Sequence, residues 1–84
     1  MVRIVYLARL REAFGKPAET VALPGEIGTV AALLAWLRAR GGIWAHELAL
    51  GRAVRVAVNH DVAEPTTAIQ SDDEIALFPP VTGG

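Results

Sequence analysis

Eighty-four residues, 52% hydrophobic and 20% charged, allow one small core and no second domain, because so short a chain buries only about 60–65% of its unfolded surface. The composition is too apolar for a disordered segment, and the lack of cysteine excludes a disulfide, a thiolate ligand and a thiol nucleophile. Eight basic against nine acidic residues leave a net charge of −1, which removes the electrostatic basis for generic nucleic-acid or anionic-membrane binding and points to protein partners.

The opening run Met1-Val2-Arg3-Ile4-Val5-Tyr6, with Arg9 and Arg11 close behind, lacks the uninterrupted apolar stretch of a signal peptide. No segment reaches the length of a membrane span, so the expected compartment is the cytoplasm. From Val2 to Leu10 apolar residues occupy alternate positions (Val2, Ile4, Tyr6, Ala8, Leu10), which predicts a strand with one buried face. The other parity reads Arg3, Val5, Leu7, Arg9, placing two large aliphatic side chains on a face that should meet water. Gly15-Lys16-Pro17 marks a turn, and Thr20-Val21-Ala22-Leu23 before Pro24-Gly25 reads as the second strand of a hairpin.

Thr29 is a suitable N-cap for a helix from Val30 to about Arg40, with Val30, Leu33, Leu34 and Leu37 on one face and Gly41-Gly42 as its stop. Arg38 and Arg40 complement the helix dipole near that end. A less regular stretch with Trp44 and Leu48 follows. Ala53 to Val58 then predicts a third strand, Asn59-His60-Asp61 a turn, and Val62-Ala63 a brief return ended by Pro65. Ser71-Asp72-Asp73 is a further turn, and Glu74-Ile75-Ala76-Leu77-Phe78 a last strand stopped by Pro79-Pro80. The order strand, strand, helix, strand, short strand, strand suits an α+β class β-grasp (ubiquitin-like) roll. One main helix would cover a mixed sheet of about five strands, with the first and last strands parallel at its centre. The globular domain is expected over residues 1–78 and an extended tail over 79–84.

Side-chain chemistry is sparse. His46 and His60 are separated by a predicted strand and lack further ligands, so neither is assigned to a metal. Asp72, Asp73 and Glu74 have no EF-hand spacing and read as a solvated turn. Ser71, the only serine, lies in that acidic turn without a base. The glycines at 25, 28, 41, 42 and 51 match no phosphate-binding spacing, and Trp36 and Trp44 read as packing residues. No catalytic side chain is therefore predicted.

The tail differs. Pro79-Pro80-Val81-Thr82-Gly83-Gly84 starts with two residues that favour an extended backbone and ends with two that have no side chain. This pattern suits a terminus that projects its carboxylate through a channel too narrow for a Cβ. At its root, Val5, Leu7, Ala76 and Phe78 would form one apolar patch on the sheet face away from the helix, a candidate docking surface.

The chain resembles the small, sulfur-carrying subunits of molybdopterin synthase, in the MoaD/ThiS ubiquitin-like sulfur-carrier family. The resemblance rests on Val5-Tyr6-Leu7-Ala8-Arg9-Leu10-Arg11-Glu12, on Ala57-Val58-Asn59, and on the closing run from Asp73 to Gly84. Asp72 stands where the family's turn commonly has glycine, a conformation that aspartate tolerates. The resemblance implies that an E1-like adenylating enzyme uses ATP to convert the Gly84 carboxylate to an acyl adenylate, from which a sulfur donor displaces AMP. Gly83, Thr82, Val81, Pro80 and Pro79 would then thread the Gly84 thiocarboxylate into the large subunit of the synthase, expected as a heterotetramer. There its sulfur would pass to cyclic pyranopterin monophosphate. No permanently bound cofactor is implied. Competing readings are a carrier for thiamine, cysteine or tRNA thiolation, a ubiquitin-like modifier, and a non-covalent β-grasp interaction module.

Overall fold

The computed structural model describes residues 1–80. Strand β1 (Val2–Tyr6) alternates as the sequence predicts, with Val2, Ile4 and Tyr6 buried, but it ends four residues early. Ala8–Phe14 is a helix, α1, rather than the continuation of a strand. Leu7 is still extended, and Ala8 takes a positive φ of 51° that turns the chain out of the sheet. Beyond it the period-two match was coincidental: Ala8 is exposed, while Leu10 and Phe14 are buried at a helical i, i+4 spacing. Gly15, at φ 72°, caps α1 by donating its N–H to the Arg11 carbonyl at 3.1 Å, so it ends a helix where a hairpin turn was expected.

Strand β2 (Ala18–Val21) starts and ends two residues earlier than predicted, because its antiparallel register on β1 runs from Val2↔Val21 to Val5↔Ala18. Helix α2 (Val30–Arg38) is capped by Thr29, whose hydroxyl accepts from the Ala32 N–H at 3.2 Å. Val30, Leu33 and Leu37 are buried; Leu34, expected beside them, is only half-buried. Helix α2 ends at Arg38 with Ala39 as its cap, two residues short of the expected end, and Gly41 and Gly42, both at positive φ, then swing the chain into a further helix, α3 (Gly42–Glu47), through the stretch read as irregular.

Strand β3 (Arg55–Val58) turns through Asn59 and His60, both at positive φ, into the two-residue β4 (Asp61–Val62). Two consecutive residues in that conformation match a type I′ hairpin. Strand β5 (Glu74–Phe78) completes a sheet of order β2-β1-β5-β3-β4. As expected, β1 and β5 are parallel neighbours at its centre, in the register Arg3↔Glu74 to Tyr6↔Leu77, and β3 runs antiparallel to β5. This is a β-grasp roll, with α1 and α3 added to the single helix predicted. The core joins Ile4, Tyr6, Ile75 and Leu77 of the sheet to Leu10, Leu33 and Leu37 of the helices.

The two tryptophans pack, as the sequence suggested, although Trp44 lies in α3 rather than in a loop. Its ring stacks on Phe14 at 3.9 Å between centroids, and Tyr6 meets both edge-on. The Tyr6 hydroxyl donates to Glu19 Oε2 at 2.6 Å, and Arg40 donates to both Glu19 oxygens at 2.8 and 3.1 Å while lying over Trp44. Burial, then the hydrogen bond and charge of Glu19, hold the Tyr6 phenol well above its ordinary range. Burial opposes the charge of Glu19, but the hydrogen bonds from Arg40 and Tyr6 outweigh it and hold the carboxyl below its usual value. This cluster fastens the edge strand β2 to the end of α2.

Candidate functional site

The site is built where β5 leaves the centre of the sheet. Paired on both sides, β5 is held rigidly up to Phe78. Pro79 and Pro80 then stop it, because neither has an N–H to continue the ladder. The tail residues Val81, Thr82 and Gly83 and the proposed sulfur-bearing Gly84 lie outside the described residues. What can be described is the root and its surroundings.

The four predicted patch residues do share the sheet face opposite the helices. Val5 lies directly beside Ala76 in the parallel register, and both are half-buried. Leu7 sits just past the end of β1 and caps α1, yet its N–H donates to the Leu77 carbonyl at 3.0 Å, so it continues the ladder. Its side chain is 42% exposed, and Phe78 is half-buried. The register extends this patch beyond what parity revealed. Ala18, Val5, Ala76, Ala57 and Val62 form one apolar row across all five strands. Ala57 is buried within it and Val62, at its edge, is 72% exposed. Ala18 and Val62 escaped the sequence reading because it misplaced their strands by one or two residues; the Asn59-His60 turn was the available signal for pairing Val62 with Ala57. Charged residues border the row, with Arg3 near Glu74 at 3.8 Å and Arg55 paired in register with Phe78.

A second feature was not anticipated. On the helix side of the root, Arg9, Arg52, Ala53, Pro79 and Pro80 line an open groove of about 310 Å3. Beneath it lies Glu47, a carboxylate only 7% exposed. Its Oε1 is 3.3 Å from Arg9 Nε and 3.5 Å from Arg52 Nη2, and its Oε2 is 3.9 Å from His46 Nε2. A single buried anion thus positions two arginines beside the tail root. Only spacing in three dimensions joins these residues, so no sequence pattern announced them.

The residues set aside earlier occupy structural positions. His46 lies on α3 beside Glu47, whereas His60 lies in the β3-β4 turn, 3.7 Å from Glu74. Among the described residues no group of three His, Cys, Asp or Glu could hold a metal ion. Asp73 accepts from Asn59 Nδ2 at 2.9 Å and from the Gln70 N–H at 2.8 Å, and Asn59 Oδ1 accepts from the Glu74 N–H at 2.9 Å. The acidic turn therefore braces the start of β5. No described helix is long and apolar enough to cross a membrane.

Comparison with known proteins agrees with this arrangement. The chain is 34% identical to the molybdopterin synthase sulfur carrier subunit of Haemophilus influenzae and 36% identical to that of Escherichia coli, each over 84 residues and 100% of both chains. The crystal structure of SAMP1, a small archaeal modifier protein from Haloferax volcanii, matches with a TM-score of 0.72 at 29% identity, covering 99% of this chain and 98% of that one. Residues 4–84 match the ThiS family. With its parallel central strand pair, its proline-rooted tail and this end-to-end similarity, the chain belongs to the ThiS family.

Proposed function

We propose that this chain is the sulfur-carrier subunit of molybdopterin synthase and works in the cytoplasm. The observation that carries the reading is a rigid central strand running straight into Pro79-Pro80, with an apolar face at its root, in a chain similar end to end to such subunits. A carboxylate is a poor electrophile and needs a leaving group before sulfur can attack. An E1-like adenylating enzyme joins AMP from ATP to the Gly84 carboxylate and releases pyrophosphate. Sulfide then attacks the acyl carbon, AMP leaves, and Gly84 becomes a thiocarboxylate; a persulfide donor gives an acyl disulfide instead, whose S–S bond a second thiol cleaves by exchange, releasing the thiocarboxylate and forming a disulfide. In the large subunit that sulfur forms a C–S bond to a carbon of cyclic pyranopterin monophosphate as a C–O bond at that carbon breaks and its oxygen leaves, and water then cleaves the acyl–sulfur bond to regenerate the carboxylate. A dithiolene needs two sulfurs, hence two loaded carriers per product, consistent with a heterotetramer.

In this reading the described residues catalyse nothing. They dock and aim: Val5, Leu7, Ala76 and Phe78, with Ala18, Ala57 and Val62, cover an apolar surface of the large subunit and direct the tail into its site. Docking replaces dilute sulfide by a positioned nucleophile of high effective concentration.

Intact mass after incubation with ATP, an adenylating enzyme and a sulfur source tests the proposal. The protein should gain one oxygen-to-sulfur exchange at Gly84, and deleting Gly84 or adding one residue after it should abolish the gain. Sulfur exchange at the original glycine of the extended chain, without trimming, would refute the mechanism. The similarity to SAMP1 favours one second reading, a modifier joined to lysines. Lysine-linked adducts formed through Gly84, with no sulfur transfer to a synthase, would establish it instead.

A further inference from the structure

The net charge of −1 conceals a marked separation of charge. Tyr6, Ala18, Arg55 and Phe78 all fall at the end of the sheet from which the tail leaves, and α1, α3 and the last turn of α2 pack there. Seven of the eight Lys and Arg side chains lie on these elements or in the connections beside them, with four of the nine carboxylates, among them Glu64 level with Arg55, a formal charge of +3. Two of those carboxylates are already engaged: Glu19 by Arg40 and Lys16, and Glu47 by Arg9 and Arg52. The opposite end holds the other five carboxylates and a single cation, Arg3, a formal charge of −4. The tail therefore leaves from a cationic pole.

Within that pole, Arg9 and Arg52 share one carboxylate, Glu47, beside the tail root. Glu47 engages Nε of one and one terminal nitrogen of the other, leaving donors of both guanidinium groups without partners among the described residues. Their side chains remain 48% and 37% exposed beside Pro79 and Pro80. On the other side of the root, Arg55 borders Phe78. Arg55 thus borders the apolar face directly while Arg9 and Arg52 flank the tail root beside Pro79 and Pro80, in the usual interface arrangement of an apolar centre and a charged rim. A nucleic acid would neutralise the cations but offer nothing to cover Val5, Ala76 and Phe78, so the arrangement favours a protein.

We propose that Arg9 and Arg52, set by Glu47, form a paired guanidinium dock for carboxylate side chains that rim the tail channel of the large synthase subunit, and that the surrounding cationic pole steers the tail toward that mouth. This rests on the sulfur-carrier reading and adds to it the charge of the partner. Paired guanidinium groups take carboxylates in a fixed geometry, and opposite poles accelerate encounter far more than they slow separation.

Stopped-flow association of the thiocarboxylated carrier with purified large subunit, across a salt series, tests it. Removing both arginines would strand a buried carboxylate, so the variant is the triple Arg9→Gln/Arg52→Gln/Glu47→Gln, with its fold checked by circular dichroism and by loading with the adenylating enzyme. At low salt its association rate should fall about ten-fold or more, with dissociation changed much less, and the difference should shrink as salt rises. Arg11→Gln, removing one charge from the same pole outside the groove, should have a far smaller effect. Wild-type association that ignores salt, or a folded triple variant that associates like wild type, would overturn the dock while leaving the carrier reading intact. Failure of the loaded wild-type protein to bind the large subunit would overturn both. If the triple variant bound the large subunit normally but lost affinity for single-stranded RNA, the pole would be assigned to nucleic acid instead.

Discussion

Strands β1 and β5 carry apolar side chains on both faces, and the two faces have opposite fates. Ile4, Tyr6, Ile75 and Leu77 are 0% exposed under the helices, whereas Val5, Leu7, Ala76 and Phe78, their immediate neighbours along the chain, remain partly open to solvent. Composition does not separate the two sets. What separates them is cover: an 84-residue chain has helix enough to shield one face of a five-stranded sheet, and the three helices spend it there. The uncovered face then has to be justified by something other than folding, and its position at the root of the tail supplies the reason.

The sharpest way to break this comparison is to truncate adjacent residues. Leu77→Ala should cost about 2–5 kcal/mol by leaving a cavity in the core, a severe loss for a domain whose whole stability is about 5–15 kcal/mol. Phe78→Ala should barely move the urea midpoint, yet weaken binding to the large subunit by about 2 kcal/mol or more. Equal destabilisation by the two substitutions, with binding by Phe78→Ala unaffected, would place Phe78 in the core and remove the docking surface. Within α2 the same logic separates Leu33 from Leu34. Leu33 is fully buried, so its truncation should cost about as much as that of Leu77; half-buried Leu34 should cost clearly less in the same melts.

How much of this was legible follows from where the periodicities are unambiguous. The strands β1 and β5 could be read because each is a short apolar-rich run with clear punctuation, β5 between the acidic turn and Pro79-Pro80, and α2 because cap, stripe and stop all agreed. Parity alone also placed Val5, Leu7, Ala76 and Phe78 on one face. The helices α1 and α3 were missed for different reasons. The period-two pattern of Val2 to Tyr6 continues by accident through Ala8 and Leu10, and the break depends on the positive φ of Ala8, which nothing in alanine foretells. Helix α3 has six residues, too few for a 3.6-residue period to show, and its leading Gly41-Gly42 pair reads equally as a stop. The Glu47-centred arginine pair was invisible because its members come from α1, α3 and the loop before β3.

A smaller effect probes a polar atom on the covered face, the Tyr6 hydroxyl. Tyr6→Phe removes a hydrogen bond to a carboxylate that Arg40 still pairs, and should cost about 1.5–3 kcal/mol at neutral pH. Because the folded protein holds Glu19 below its usual value, the stability this carboxylate contributes is complete above about pH 4.3 and is lost as pH falls through the lower folded value. The Tyr6 phenol is shifted the other way, so its contribution holds at neutral pH and begins to fail above about pH 10, where the unfolded phenol ionises. Urea midpoints followed from pH 3 to 6 should show a steeper acid loss for wild type than for Glu19→Gln. Parallel profiles would mean that the cluster contributes no pH-dependent stability.

The smallest expected effect again concerns neighbours with opposite roles, this time Asp72 and Asp73 in the turn before β5. Asp72 has a φ of 71°, in the left-handed region where a side chain is disfavoured by about 1–2 kcal/mol. Its carboxylate makes no hydrogen bond among those described, and only its backbone N–H is used, donating to the Met1 carbonyl at 2.6 Å. Asp72→Gly would relieve the backbone strain, offset by the greater freedom of glycine in the unfolded chain, roughly 0.5–1 kcal/mol. It would also remove one carboxylate from the crowded acidic end. The net result should be a gain of about 0.5 kcal/mol, visible as a slightly higher urea midpoint with an unchanged slope. Asp73 is the reverse case: its carboxylate holds both the Asn59 side chain and the Gln70 N–H, so Asp73→Ala should destabilise by about 1–3 kcal/mol. A loss of stability in Asp72→Gly as large as that in Asp73→Ala would mean that the turn is held by Asp72 as well, and that the charge at this end of β5 supports the fold rather than merely bordering it.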